Sequence, residues 1–173
     1  MAPFRTRLAV LGGIFAALVA GPAFAQQAQP KPVAQFGDWS VYVSATPNAK
    51  VCYTISQPKD RLPAGLKRDP AYFFISTRPA ENVKNEISLT MGFTLKEGSE
   101  AKLTIGSQTF ALYTKAEGAW VRNVADEGKL VEALRKGKDL TVVSISGRGN
   151  STTDKYGLAG ITQALDRVAQ ECK

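Results

Sequence analysis

The sequence contains no histidine and only two cysteines among its 173 residues. Without histidine, the chain lacks the commonest general base, the histidine-containing catalytic triads and every histidine-ligated zinc site. Two cysteines are too few for a four-cysteine metal site. We therefore expect no catalytic residues of a familiar kind, no metal site and no cofactor.

Long hydrophobic runs are also scarce, since the one candidate covers only Leu8 to Ala20. A membrane-spanning helix needs about 20 apolar residues, so this run is short for that role. It follows the basic residues Arg5 and Arg7, and it leads to the small-x-small sequence that ends at Ala25. This order predicts a signal peptide over residues 1–25, cleaved after Ala25, and a protein exported to the periplasm, with outer-membrane association or secretion as further options.

Removal of the signal lowers the positive charge. The formal net charge of +7 becomes +5, with 20 basic and 15 acidic residues remaining. Because the cations are interleaved with acids, we expect no nucleic-acid partner, no stable transmembrane segment after cleavage, and a protein or envelope component as partner. Residues 26–35 are predicted to be a flexible leader, and residues 36–173 a single domain.

The remaining pattern consists mainly of short alternating apolar segments separated by turn residues. Gly106-Ser107 predicts a hairpin with a type II′ turn, and Ala116-Glu117-Gly118 predicts a second hairpin. Asp126 and Gly137 are predicted to be the N-cap and the left-handed end of a short helix. We expect a mainly β fold, an antiparallel, jelly-roll-like β-sandwich with one short helix and a C-terminal helix packed on it.

The two cysteines are expected to form a disulfide bond. Cys52 lies in a predicted strand, and Cys172 lies on the apolar stripe of a helix predicted from about Leu158 to Glu171. An exported protein with two cysteines usually pairs them, whereas a redox-active pair would favour a Cys-x-x-Cys motif that is missing here. The bond would close a loop of about 120 residues.

Two irregular segments are candidates for binding. Residues 57–70 form a long proline-rich connection, which is either a binding loop or a solvated one. Residues 146–154 are polar and glycine-rich, and either their amides and Arg148 cradle an anion or Arg148 pairs with Asp154 or Asp139 in a plain hairpin loop.

Several short motifs together resemble the invasion-associated locus B family of exported bacterial proteins. They include Gly37-Asp38-Trp39, Val51-Cys52, Gly118-Ala119-Trp120-Val121, Ser146-Gly147-Arg148-Gly149 and the segment from Thr153 to Gly160. The resemblance implies a periplasmic or surface-associated β-sandwich with no known catalytic site. Many relatives carry a further cysteine soon after the tryptophan, where this chain has Tyr42-Val43-Ser44, so a second disulfide and a role in host invasion need not transfer.

The leading hypothesis is a non-enzymatic interaction protein of the envelope, with Arg148, Asp154 and Trp120 as candidate binding residues. One alternative is an envelope-polymer hydrolase, which would need paired carboxylates or a Ser–Lys pair such as Ser56 with Lys59. Another is a carrier of a small ligand or lipid, which would need an apolar cavity of at least about 300 Å³ between the sheets.

Overall fold

The computed structural model describes residues 29–173, so the predicted signal peptide and residues 26–28 lie outside the described part of the chain. Residues 29–173 form one antiparallel sheet of eleven strands and two α-helices, together with two 3₁₀ turns. The strands are β1 (Lys31–Phe36), β2 (Trp39–Thr46), β3 (Ala49–Ser56), β4 (Asp60–Leu62), β5 (Tyr72–Arg78), β6 (Val83–Thr90), β7 (Glu100–Ile105), β8 (Gln108–Lys115), β9 (Gly118–Val121), β10 (Asp139–Ile145) and β11 (Ser151–Gly157). The helices are α1 (Glu127–Lys136) and α2 (Ile161–Glu171), and the 3₁₀ turns are Pro79–Glu81 and Val124–Asp126.

The sheet has the order β1-β2-β3-β5-β6-β9-β8-β7-β10-β11-β4 and folds over onto itself. Strands that are far apart in this order meet across the core, because the Phe73 ring on β5 contacts the Tyr156 ring on β11 at a centroid distance of 5.7 Å. Phe73 also contacts Trp39 on β2, two places away in the sheet, at 5.6 Å. The Trp39 Nε1 group also donates a hydrogen bond of 3.1 Å to the carbonyl of Gly157. The predicted mainly β, sandwich-like fold is confirmed.

Alternation along the strands places the core on one face of the sheet. In β5, Phe73, Ile75 and Thr77 are buried, while the residues between them are half-buried. Helix α2 packs against this face through Ile161, Leu165 and other apolar residues of its stripe. Helix α1 contributes Leu130 and Leu134 to the same core, and the outward face of β2, β3 and β5 carries the other set of side chains.

The disulfide bond between Cys52 and Cys172 is confirmed. The two residues are 120 positions apart, their Cα atoms are separated by 5.8 Å, and both side chains are buried. The Lys50 Nζ atom donates to the carbonyl of Glu171 beside the bond. The last turn of α2 is therefore attached to β3 both covalently and by a hydrogen bond.

Both predicted hairpins are confirmed. Ile105 pairs with Gln108 around Gly106-Ser107, and Gly106 has a φ of +56° while Ser107 has no positive φ, as a type II′ turn requires. Lys115 pairs with Gly118, which confirms the second hairpin.

Asp126 is the N-cap residue of α1, as the sequence predicts, but the rest of the prediction for this helix differs from the structure. The Asp126 side chain makes no capping bond, whereas the Asn123 carboxamide accepts from the amide of Ala125 and caps the 3₁₀ turn before the helix. Gly137 has φ −78° and ψ 163°, which is extended backbone, so the prediction of a left-handed end is wrong. A Cβ atom at Gly137 would lie 2.6 Å from Ile105 Cγ2, so close packing explains the glycine there.

The predicted leader and the predicted proline-rich connection are both shorter in the structure than the sequence indicates, because strands occupy part of each. Strand β1 begins at Lys31, so residues 31–35 belong to the sheet and pair with β2. Residues 60–62 of the proline-rich connection form β4, the edge strand that pairs with β11. No helix within residues 29–173 is long and apolar enough to cross a membrane.

Candidate functional site

An open groove of about 630 Å³ lies between two loops at the β4–β11 side of the sheet. The loop from β4 to β5 forms one wall, and the loop from β10 to β11 forms the other. We call this cavity the basic groove because three cations line it. The side chains that define it are Leu66, Lys67, Arg68, Phe93, Thr94 and Arg148.

Behind the first wall, one buried carboxylate holds two guanidinium groups. Asp154 points to the core from β11 with a fully buried side chain, and its Oδ1 atom accepts from Arg61 Nε and Arg68 Nη1, each at 3.3 Å. Arg61 also donates to the carbonyls of Asp69 and Met91, both at 2.6 Å. Arg61 therefore ties the start and the end of the β4–β5 loop to neighbouring backbone.

Arg68 carries a positive charge that is buried and only partly compensated. Its side chain is 7% exposed, and it lines the groove while one terminal nitrogen bonds Asp154 and the other donates 3.2 Å to the carbonyl of Pro63. Burial lowers the pKa of Arg68, Arg61 lowers it further, and Asp154 raises it. Because Arg61 and Arg68 share a single carboxylate, the cluster holds one positive charge in excess.

The carboxylate itself is under opposing influences. Burial raises the pKa of Asp154 above its ordinary value, and it outweighs the charge of Arg61, the hydrogen bond from Arg61 and the charge of Arg68, which lower the pKa. Burial also raises the pKa of the neighbouring Tyr156 hydroxyl, and the charge of Asp154 adds to that rise. The two arginines therefore favour the ionised form of a carboxylate whose burial disfavours it.

The second wall uses its backbone groups internally. The amides of Ser146 and Gly147 donate to the carbonyls of Asn150 and Thr94, and the amide of Gly149 donates to Ser146. The Asn150 amide donates to the Ser146 hydroxyl at 3.1 Å. These four amides are therefore not free to cradle an anion.

Arg148 projects from this second wall without a counter-charge. It is exposed, it lines the groove, and within residues 29–173 it makes none of the ion pairs found. Asp154, one partner considered from the sequence, is held by Arg61 and Arg68 instead. The structure thus brings Arg148 into the same groove as Lys67 and Arg68.

The family model of the Invasion associated locus B (IalB) protein matches residues 39–169. The chain belongs to the invasion-associated locus B family. The resemblance drawn from the sequence motifs is thereby confirmed, and both walls of the basic groove lie within the matched range. No match was found among curated proteins or among solved structures.

Trp120, the third candidate binding residue in this IalB-family chain, lies elsewhere. It stacks on Tyr113 of the neighbouring strand with a centroid distance of 5.4 Å, and the two residues are direct partners in the ladder. Its neighbours Ala119 and Val121 are buried, which places Trp120 on the outward face of the sheet. Trp120 is not among the residues that line the basic groove.

The Ser–Lys pair considered for a hydrolase is not assembled. The Ser56 hydroxyl donates to the carbonyl of Gln57, and Lys59 pairs with Asp38 at 2.7 Å. Among the described residues of this IalB-family chain, no group of three or more histidine, cysteine or carboxylate side chains is placed to hold a metal ion.

Sequence analysis identified Arg148 and Asp154, but it did not identify the residues opposite them. Arg61, Arg68 and Leu66 come from the proline-rich connection, which was recognised only as a possible binding loop. Phe93 follows β6, and nothing in its surrounding sequence indicated a role. The sequence signal for these residues was the high density of cations between residues 59 and 68. That density indicates a site only once it is known that β4 pairs with β11.

Proposed function

We propose that this IalB-family protein is an exported, non-enzymatic binding module of the bacterial envelope, periplasmic or surface-associated, that captures an anionic group in the basic groove. The observation that carries the proposal is the state of Arg68. It is a cation with a 7% exposed side chain on the groove wall, in a cluster with two guanidinium groups and one carboxylate. A buried cation with incomplete compensation favours an incoming anion, because desolvation strengthens the attraction.

The rest of the groove supports capture in preference to chemical transformation. Lys67 and Arg148 add positive charge at the mouth, and both are exposed. The adjacent carboxylate, Asp154, is buried behind Arg68 and bonded to two arginines, so it is poorly placed to act as a general acid or base. Export is supported by the sequence pattern that ends at Ala25.

The test is a titration of the purified exported protein with inorganic phosphate and with acetate, followed by two-dimensional NMR. We expect shifts concentrated at the backbone amides near Arg68 and Arg148, and binding that weakens as salt concentration rises. Arg148→Gln should weaken binding about fivefold, the size of an exposed charge contact of about 1 kcal/mol. The matched control is Lys115→Gln, an equal charge change at an exposed position of β8 outside the groove.

Two results would contradict the proposal. Equal weakening by Arg148→Gln and Lys115→Gln would mean that only overall charge attracts the anion. Turnover of an envelope polymer by the purified protein would replace the non-enzymatic assignment with the hydrolase alternative. Export is checked separately by fractionating cells and by mass spectrometry of the processed N-terminus, which should begin at Gln26; a retained leader in the cytoplasm would overturn it.

A further inference from the structure

We propose that the ligand of the basic groove is the anion of a long-chain fatty acid, with its carboxylate at Arg68 and Arg148 and its acyl chain along Leu66 and Phe93. This inference rests on the proposed function, since it assigns the body of the ligand whose charged end the arginines capture. The arrangement combines cations at the rim with a mainly apolar surface inside one groove.

The apolar surface of the groove comes from the Leu66 and Phe93 side chains and from a polar side chain, Thr152, that is already hydrogen-bonded. Leu66 is 37% exposed, which is high for a leucine, and it lines the same groove as the half-buried Phe93. The Thr152 hydroxyl bonds Ser144 at 2.8 Å, so its hydrogen-bonding capacity is already used. The groove of about 630 Å³ lies in the usual range for small-molecule sites.

Arg68 has N–H groups that are not used in hydrogen bonds within the described residues. Arg68 uses three of its five N–H groups on Asp154, Leu62 and Pro63 within the described residues. Two N–H groups therefore remain for a carboxylate, which a guanidinium binds through paired donors. Arg148, on the opposite wall, can complete the neutralisation of the head.

A peptide is a poorer occupant than an acyl chain. An extended peptide that joins a protein surface gains most of its affinity from main-chain hydrogen bonds. On the β10–β11 wall the amides of Ser146, Gly147, Gly149 and Asn150 are all engaged inside the loop or with Thr94. An acyl chain carries no backbone polar groups of its own, so it adds no unsatisfied donor or acceptor to this wall.

The experiment is calorimetric titration of the exported protein, below the critical micelle concentration, with dodecanoate, octanoate, dodecanol and inorganic phosphate. Each methylene buried completely contributes about fourfold in affinity, and about twofold in a half-open groove. Dodecanoate should therefore bind one to one, about 15- to 250-fold more tightly than octanoate. Dodecanol, which has the same chain without the charge, should bind at least about tenfold more weakly than dodecanoate.

Leu66→Asn provides the structural arm of the test. It should weaken dodecanoate binding about fivefold or more and weaken phosphate binding much less, because Leu66 meets the chain and not the head. The control is Leu62→Asn, since Leu62 is 44% exposed on β4 and does not line the groove. Both positions are exposed enough for the variants to fold.

The outcomes separate the two proposals. If phosphate binding depends on Arg148 but dodecanoate binds no more tightly than octanoate, the proposed function stands and the fatty-acid inference fails. If dodecanol binds as tightly as dodecanoate, the arginines do not select the ligand and the anionic assignment fails. Binding of many ligand molecules per chain, or equal effects of Leu66→Asn and Leu62→Asn, would overturn the groove as the site.

Discussion

Loss of the Cys52–Cys172 bond should remove a large part of the stability of the fold. The perturbation is the double variant Cys52→Ala/Cys172→Ala, which removes the cross-link and leaves two small apolar side chains. The bond joins residues 120 positions apart. Closing so long a loop in the unfolded chain corresponds to about 5 kcal/mol by loop entropy, within a usual range for lost native disulfides of about 2–5 kcal/mol.

Urea unfolding followed by circular dichroism measures this loss. With a slope of about 2 kcal/mol per molar urea, a loss of 5 kcal/mol moves the midpoint down by about 2.5 M. Wild-type protein reduced with dithiothreitol is the matched control and should shift by a similar amount. Hydrogen exchange should show the greatest local loss of protection at the end of α2, since the bond joins Cys172 there to β3.

A loss of less than about 1 kcal/mol in the double variant at an unchanged slope would refute the loop-entropy explanation. Destabilisation of the double variant without destabilisation of the reduced wild type would refute it too, because the loss would then come from packing of the buried sulfur atoms and not from the cross-link.

Two further predictions concern backbone space and pH. In urea unfolding, Gly160→Ala should lower the free energy of unfolding by at least about 3 kcal/mol, and Gly149→Ala by only about 1–2 kcal/mol. Both glycines have a positive φ (+89° and +84°), but only a Cβ atom at Gly160 would overlap the backbone of Phe36. Equal losses in the two variants would contradict this explanation. Since burial raises the pKa of Tyr156, the folded state keeps a proton that the unfolded state releases above about pH 10, so the free energy of unfolding should fall by about 1.4 kcal/mol per pH unit there. Tyr156→Phe should make that slope smaller between pH 10 and 11, and an unchanged slope would show that Tyr156 is not its source.

Local sequence rules were sufficient for the scaffold where structure depends on neighbouring residues. Period-two alternation identifies strands because adjacent side chains point to opposite faces, and Gly106 identifies a hairpin because its φ of +56° favours glycine. The same rules failed at Gly137, where the glycine is explained by the nearness of Ile105 and Leu158 from other elements. A tertiary contact of this kind leaves no periodic signal in the sequence.

For a related reason, the sequence predicted only one of the two walls of the site. Arg148 lies in a glycine-rich polar loop, which is a local signal, and Asp154 lies just after it. The partners of Asp154, Arg61 and Arg68, are 93 and 86 positions away. Their meeting depends on the pairing of β4 with β11, which is a choice of sheet topology that composition and spacing do not determine.

That pairing also explains how an exposed loop can form a stable wall of the proposed anion site. Arg61 and Asp154 are direct partners in the β4–β11 ladder, so the guanidinium group and the carboxylate meet at a position already fixed by backbone hydrogen bonds. Arg68, further along the same loop, is then held by the same carboxylate and by the carbonyl of Pro63. A ligand that enters a groove held in this way loses little affinity to ordering the protein, because the cationic wall is in place before binding. Burying the charges of Asp154 and Arg61 costs folding free energy. We explain their burial by the position in which they hold the Arg68 side chain.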